Sequence, residues 1–183
     1  NNIVEATKDR GNILIGDSSY SVTGNWNVSL GQEAANVLTT GDGNVAVGKS
    51  ALLYLQSGGY NTAVGNQARG GVTTGNCNTA VGYLSGRYQN GNQNVAVGHC
   101  AGYAQGCLST GNTYNIAIGQ DAGKNAYNAT QAVSIGYRAG YCNDGLNSIH
   151  IGTCAGFNNT TGAPAIAIGS CALKNTSTGT RSI

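Results

Sequence analysis

The sequence predicts an all-β chain, a parallel β-solenoid of the β-roll kind, with about ten coils of ~17 residues and two short strands per coil. Three observations carry this. An alternating apolar triplet closed by glycine returns ten times, glycine dominates the composition with 30 of 183 residues, and Gly, Asn and Thr clusters separate the copies. The clearest copies are Asn44-Val45-Ala46-Val47-Gly48, Asn61-Thr62-Ala63-Val64-Gly65, Asn78-Thr79-Ala80-Val81-Gly82, Asn94-Val95-Ala96-Val97-Gly98 and Asn115-Ile116-Ala117-Ile118-Gly119. Others end at Gly16, Gly31, Gly136, Gly152 and Gly169, and the steps between glycines are 15, 17, 17, 17, 16, 21, 17, 16 and 17 residues. A unit this short is one coil, which buries its apolar surface only by stacking on a neighbour.

Within a coil, the residues three and one before the glycine share one strand face, because side chains alternate with period 2. They are β-branched or Leu throughout, from Ile13 and Ile15 to Ile166 and Ile168, and are expected to supply the coil interior. The residue between them is Ala or Ser in eight coils, with Leu14 and His150 the exceptions. A solvent face would carry Lys, Glu or Thr, so this small-residue face is expected to press against a second strand's inner surface or a neighbouring chain. The glycine marks a corner needing positive φ or close backbone approach. Asn opens the phrase in the first seven coils, where its amide can satisfy turn backbone and ladder onto the Asn above. Ala or Ser stands three residues after each glycine, a second small column, and clusters such as Thr39-Thr40-Gly41 and Thr73-Thr74-Gly75 read as outer turns.

Composition bounds the function. Charged residues are 9% of the chain and the net charge is +2, with Lys and Arg scattered, so no basic block for nucleic acid exists. No apolar run reaches the length of a membrane span, and the first ten residues lack a signal peptide's apolar stretch. With no Met even at position 1, the sequence reads as a processed or excised piece. Cys77, Cys100, Cys107, Cys142, Cys154 and Cys171 form no Cys-x-x-Cys pair, which removes zinc-ribbon and redox spacings and leaves disulfides in an oxidising compartment or buried free thiols. Cys154 and Cys171 both stand two residues after their glycines in adjacent coils and are expected to stack as a bonded or touching pair; Cys100 and Cys107 are the next candidates, while Cys77 and Cys142 lie too many coils apart. Asn27, Asn128, Asn158, Asn159 and Asn175 are N-glycosylation acceptors by pattern.

Catalytic chemistry finds little purchase. Gly43 to Ser50 spells the phosphate-cradling loop of nucleotide hydrolases, yet its Val45-Ala46-Val47 is a strand of the repeat and sister coils replace Lys49 and Ser50, so the match is coincidental. His99 and His150 are three coils apart, roughly 14 Å at about 4.8 Å per coil, too far to share a metal or a proton. The seven acids Glu5, Asp9, Asp17, Glu33, Asp42, Asp121 and Asp144 make no stacked carboxylate pair of the polysaccharide-cleaving kind. Threonines do not recur in every outer turn, as an ice-binding array would need. Tyr54, Tyr88, Tyr103, Tyr141 and Phe157, five or six residues after the repeat glycine, form a stripe that either stacks on sugar rings or packs the corner.

The phrase Asn-x-Ala-Val/Ile-Gly, with Ala three residues on, resembles the repeat of the head domains of trimeric autotransporter adhesins and similar repeats of viral and phage tail fibres. The likeness runs from about Gly11 to Leu173, although this coil is longer and carries more cysteine. It implies left-handed β-rolls packed three to a fibre and an adhesive role. The expected organisation is an N-terminal segment (1–10) contacting a neighbouring subunit, a solenoid domain (11–173) and a C-terminal tail (174–183). The expected function is a structural or adhesive fibre module, extracellular, on a cell surface or virion, attaching through its outer turns; the alternative is a non-adhesive subunit stacking end to end into a filament or fibre shaft. No enzyme activity, cofactor, metal, nucleic acid or membrane insertion is expected. The partners are copies of itself, as a homotrimer or head-to-tail filament, and a host surface glycan or protein.

Overall fold

The structure, a computed structural model, describes residues 4–7, 11–16, 22–104, 112–126, 129–143, 146–158 and 164–175. It is all-β, with no helix among the described residues. Among the described residues, eleven strands form one sheet in chain order: β1 (Val4–Thr7), β2 (Asn12–Ile15), β3 (Val28–Leu30), β4 (Val45–Val47), β5 (Thr62–Val64), β6 (Thr79–Val81), β7 (Val95–Val97), β8 (Ile116–Ile118), β9 (Val133–Ile135), β10 (Ile149–Ile151) and β11 (Ile166–Ile168). From β2 to β11 every neighbouring pair is parallel and in register: Ala46 lies opposite Ala63, Ala63 opposite Ala80, and Ser134 opposite His150. β1 breaks the pattern by pairing antiparallel with β2, Val4 opposite Ile15. The solenoid predicted from the glycine period is therefore present, one strand per coil.

Among the described residues, the second strand expected in each coil is replaced by tight turns. After Gly65, the residues at two and four positions on, Gln67 and Arg69, take left-handed φ of 55° and 47°, which no strand accommodates. Ser50 and Leu52 do the same one coil earlier, at 56° and 51°. These conformations are costly for non-glycine residues, and inter-coil hydrogen bonds offset the cost: Gln67 N donates to Lys49 O at 2.8 Å and Arg69 N to Ser85 O at 2.9 Å.

The turns also settle which face is inside, opposite to the expectation. The middle residue of each triplet is the buried one, including Ala46, Ala63, Ala80, Ala96, Ala117, Ala167, Leu14 and His150, while the flanking Val, Ile, Leu and Thr point outward and are half-buried or exposed. The reason is the width of the coil. Ala51, Ala68, Ala101 and Ala122, three residues after their glycines, are fully buried and pack against the strand alanines, leaving no room for two rows of β-branched side chains. The Ala face does press on a close surface, the turn segment of its own coil.

Two columns hold the coils together. At Gly65 φ is 133°, and a Cβ there would come 2.5 Å from Gly82 O in the next coil, so the corner needs glycine both for its dihedral and for the backbone contact. Beside it runs a buried asparagine ladder. Asn61 Nδ2 donates to Gly75 O at 2.8 Å and to Asn44 Oδ1 at 3.0 Å, and Asn61 Oδ1 accepts from Asn78 N at 3.1 Å and Nδ2 at 2.9 Å. The backbone part of the ladder runs from Asn12 to Asn115, whose Oδ1 ends it on Ala132 N at 3.0 Å. Asn27 belongs to this ladder, donating from Nδ2 to Gly41 O at 2.8 Å, so the structure buries the amide counted as a glycan acceptor. Asn128 and Asn159 lie outside the described residues.

The interior changes character along the axis. Leu38, Leu52, Leu55 and Val72 fill the N-terminal half, and Gln89, Asn112, Ser134, Asn143 and His150 the C-terminal half, beside a cavity of about 20 Å³ lined in part by Gln89, Asn112, Ser134 and Asn143. At the change stands Arg69, fully buried, with Nη1 donating to Gln89 O at 3.1 Å and burial lowering its pKa to about 9.

Two outcomes test this packing. Asn61→Ala strips a donor pair from Gly75 O and Asn44 and leaves Asn78 N unpaired in the interior, so denaturant titration should show a loss of about 3 kcal/mol or more. His150, facing Ser134, Gly140 and Gly156, has its pKa lowered from 6.5 to about 4 by burial alone. The folded chain therefore keeps His150 neutral while the unfolded chain protonates it. Its contribution is fully present above pH 6.5 and lost as pH falls toward 4, by about 3 kcal/mol. Denaturation midpoints measured across pH 4 to 7.5 should carry this slope, and His150→Ala should flatten it.

Candidate functional site

Because the strand alanines turn inward, the sheet presents an outward face of twenty side chains in ten in-register rows, from Ile13 and Ile15 at one end to Ile166 and Ile168 at the other. All are apolar except Thr62 and Thr79. At about 4.8 Å per strand this strip runs roughly 43 Å. Its exposure is high for such residues: Ile13 48%, Leu30 46%, Ile118 39% and Ile168 67%. Exposed apolar strips of this length are the kind of surface that protein contacts use. It carries no acid, base or nucleophile, and what it can do is adhere to another apolar surface.

The predicted aromatic stripe is real as a column but is closed on itself. Tyr88 meets Tyr103 edge to face at 5.6 Å, and Tyr141 stacks on Phe157 at 4.9 Å with a 12° interplanar angle. Lys124 occupies the same column in the coil between, its Nζ 5.7 Å from the Tyr103 ring centre and 5.8 Å from that of Tyr141. The structure thus favours the corner-packing alternative for four of the five rings, with Tyr54 standing exposed. A different aromatic column was missed. Trp26, Tyr60 and Tyr114, each just before the phrase's Asn, are the exposed rings of the outer turn, and the Trp26 and Tyr60 rings lie over Gly11 and Gly43. Aligning the residue before that Asn across coils is the signal that could have found them.

The third feature is a polar column two residues after the repeat glycine. Here equivalent residues of successive coils touch: Ser50 Oγ donates to Glu33 Oε2 at 2.9 Å, and further along Cys100, Asp121 and Arg138 follow one another. The donor atoms of His99, Cys100 and Asp121 all lie within 4.8 Å of one another, with Cys100 and Asp121 buried and His99 exposed. Lys124 Nζ donates to Asp121 Oδ1 at 2.8 Å, and Arg138 Nε is 3.9 Å from Oδ2. Burial pushes the Cys100 thiol up, Lys124 pulls it back and Asp121 adds to the rise. Burial works against the Lys124 ammonium, but its hydrogen bond and charge pairing with Asp121 hold its pKa above the ordinary lysine value. His99 and His150 stay in different surroundings, the first against Tyr83 at 5.3 Å and the second in the interior.

Cys154 and Cys171 fall in this column on adjacent coils, as expected, with Cys171 N donating to Thr153 O at 2.8 Å, but both are free thiols. In-register stacking sends the two side chains off in parallel, whereas a disulfide wants Cβ vectors that converge. Cys100 is likewise a free thiol, and Cys107 lies outside the described residues. Among the other acceptors by pattern, Asn158 Nδ2 donates to Asn175 Oδ1 at 3.2 Å, an exposed echo of the interior ladder. In the Gly43–Ser50 segment, Val45–Val47 is β4 and a turn rather than a helix follows, so no phosphate cradle forms.

Comparison with protein-family models, with curated proteins and with solved structures gives no match to this chain.

The ring column yields a direct test. Tyr141→Ala removes the stack on Phe157 and should lower stability by about 1–3 kcal/mol in chemical denaturation, while Tyr54→Ala should change it by less than about 0.5 kcal/mol.

Proposed function

We propose that this chain is a structural fibre module that assembles with copies of itself through the outward sheet face and displays its outer turns for attachment to a surface glycan or protein. The exposed, in-register strip of Val, Ile and Leu carries this reading, since identical chains offer each other identical strips of matching length. The coil interior, mostly alanine in its strand row, is thin, so covering the outer face would supply apolar burial that a lone chain lacks. Three copies around a common axis is the arrangement the adhesin resemblance suggests, with an extracellular, cell-surface or virion setting. Trp26, Tyr60 and Tyr114 are the rings such a fibre would offer outward. No catalytic role forms part of the proposal.

The alternative is end-to-end stacking into a filament through the open edges of parallel strands. Against it, β1 lies antiparallel on β2, so the outer edge of β2 is already paired and is not open to another parallel coil.

Sedimentation separates these readings. The wild-type chain should run at three times its 18.4 kDa mass, and Val47→Lys with Val97→Lys, both on the outward face, should run as a monomer with unchanged circular dichroism. A wild-type monomer at micromolar concentration overturns self-assembly. An assembly that grows open-ended and ignores the two lysines supports the filament instead. Glycan-array binding of the assembled protein, lost in Trp26→Ala with Tyr60→Ala, tests the adhesive part.

A further inference from the structure

We propose that His99, Cys100 and Asp121 form a binding site for a divalent transition metal, with zinc the ion its donors suit. The three donor atoms lie within 4.8 Å of one another, close enough for a single ion to reach all of them. They offer sulfur, imidazole nitrogen and carboxylate oxygen, a set that zinc takes readily and that magnesium and calcium, which prefer oxygen alone, do not. Three protein ligands leave the fourth tetrahedral position to water, reached from the exposed side of His99.

The fold places these groups by its register. Cys100 and Asp121 stand two residues after Gly98 and Gly119 on successive coils, with matching φ of 53° and 56°, so their side chains leave the backbone in the same direction. Main-chain bonds lock both, Cys100 N to Tyr83 O at 2.9 Å and Asp121 N to His99 O at 2.9 Å. The second of these ties the His99 backbone directly to the carboxylate's own residue. The His99 ring rests against Tyr83 at 5.3 Å, which narrows the rotamers open to it. Because Cys100 and Asp121 are both buried, their sulfur and oxygen are already partly stripped of water, and an ion between them meets little competition from bulk solvent.

Two cations stand nearby and set the affinity. Lys124 engages Asp121 Oδ1, and Arg138 Nε lies 3.9 Å from Oδ2. An ionised carboxylate has about four lone-pair directions, so one lysine contact leaves room for a metal. Thiolate and carboxylate together balance the charge of the ion, and Lys124 keeps its place between the Tyr103 and Tyr141 rings. Lys124 nevertheless repels the metal, so removing that charge should tighten binding.

The full chain, stripped with a chelator and titrated with Co²⁺ and then with competing Zn²⁺, provides the test. One Co²⁺ per chain should bind with a thiolate-to-cobalt charge-transfer absorption, and Zn²⁺ should displace it. Cys100→Ser should abolish the band. His99→Asn, at an exposed side chain, should weaken binding by roughly 100-fold, and Lys124→Gln should strengthen it severalfold. Cys154→Ser with Cys171→Ser should leave the band intact. A wild-type chain that gives no band, a band that survives Cys100→Ser, or binding indifferent to His99→Asn overturns the site.

Discussion

The contact on which everything else depends is backbone against backbone at the repeat glycine. Gly48, Gly65, Gly82 and Gly98 approach the corner of the next coil so closely that a Cβ on any of them would stand 2.5 to 2.8 Å from the neighbouring glycine's carbonyl oxygen. That contact fixes the coil spacing and, because every coil makes it at the same place, it fixes the register too. Once the corners are superimposed, each remaining position becomes a column, and each column has to be satisfied by residues that tolerate their own kind above and below. Asparagine is such a residue, since its amide carries both donor and acceptor, and the ladder from Asn12 to Asn115 uses each side chain to satisfy the next coil's backbone. Aromatic rings are another, which is why Tyr141 and Phe157 stack and why Lys124, a cation, is tolerated between two tyrosines.

The same constraint explains why the wide residues sit outside. Where strand alanines such as Ala46 and Ala63 face turn alanines such as Ala51 and Ala68, the lumen holds single large residues from the turn side, Leu52, Leu55 and Val72, but not two β-branched residues from every strand as well, so the triplet's β-branched members are turned out. Their β-branching still serves the strand, where it favours extended backbone and packs well against identical neighbours in the row. The outward strip is therefore a by-product of a narrow lumen, and at the same time a long row of exposed apolar side chains. A solitary chain would leave it wet.

The period, the glycine corner, the asparagine ladder and the second small column at Ala51, Ala68 and Ala122 could all be read from the sequence, because each depends on backbone geometry that repeats with the chain. Sidedness could not. Period-2 alternation separates the faces of Val45-Ala46-Val47 but does not say which face is inside, and the usual preference of valine for the interior pointed the wrong way. The count of strands per coil failed for a related reason: the left-handed φ of Ser50, Leu52, Gln67 and Arg69 is carried by ordinary side chains with no local signature, and it is imposed by bonds to neighbouring coils. The His99, Cys100 and Asp121 cluster has no local signature in the sequence, because its members meet only across a 21-residue step, a coil longer than the rest.

The shift from an apolar to a polar interior shows how far a column can be bent before the corner gives way. Four residues after the glycine, Leu52 and Arg69 fill the lumen of their coils, and from Gly86 onward through Gly102, Gly123, Gly140 and Gly156 the same position has no side chain at all. The emptied volume is what admits large residues from other columns. A Cβ at Gly156 would run into the His150 ring, and one at Gly86 would come 3.3 Å from Arg69 and push its side chain aside, so those glycines make room for the bulky neighbours. Substituting Gly156 alone would evict His150 from the strand row, and replacing His150 with the alanine found in other coils would leave a void next to Gly156 rather than restore the earlier packing. Where neither neighbour fills the space, between Gln89, Asn112, Ser134 and Asn143, the cavity of about 20 Å³ is the size of one water molecule and is lined by amides suited to hold it. The solenoid thus keeps its corners invariant and lets its contents vary, so that chemistry enters this fold only where a column departs from alanine, asparagine and glycine.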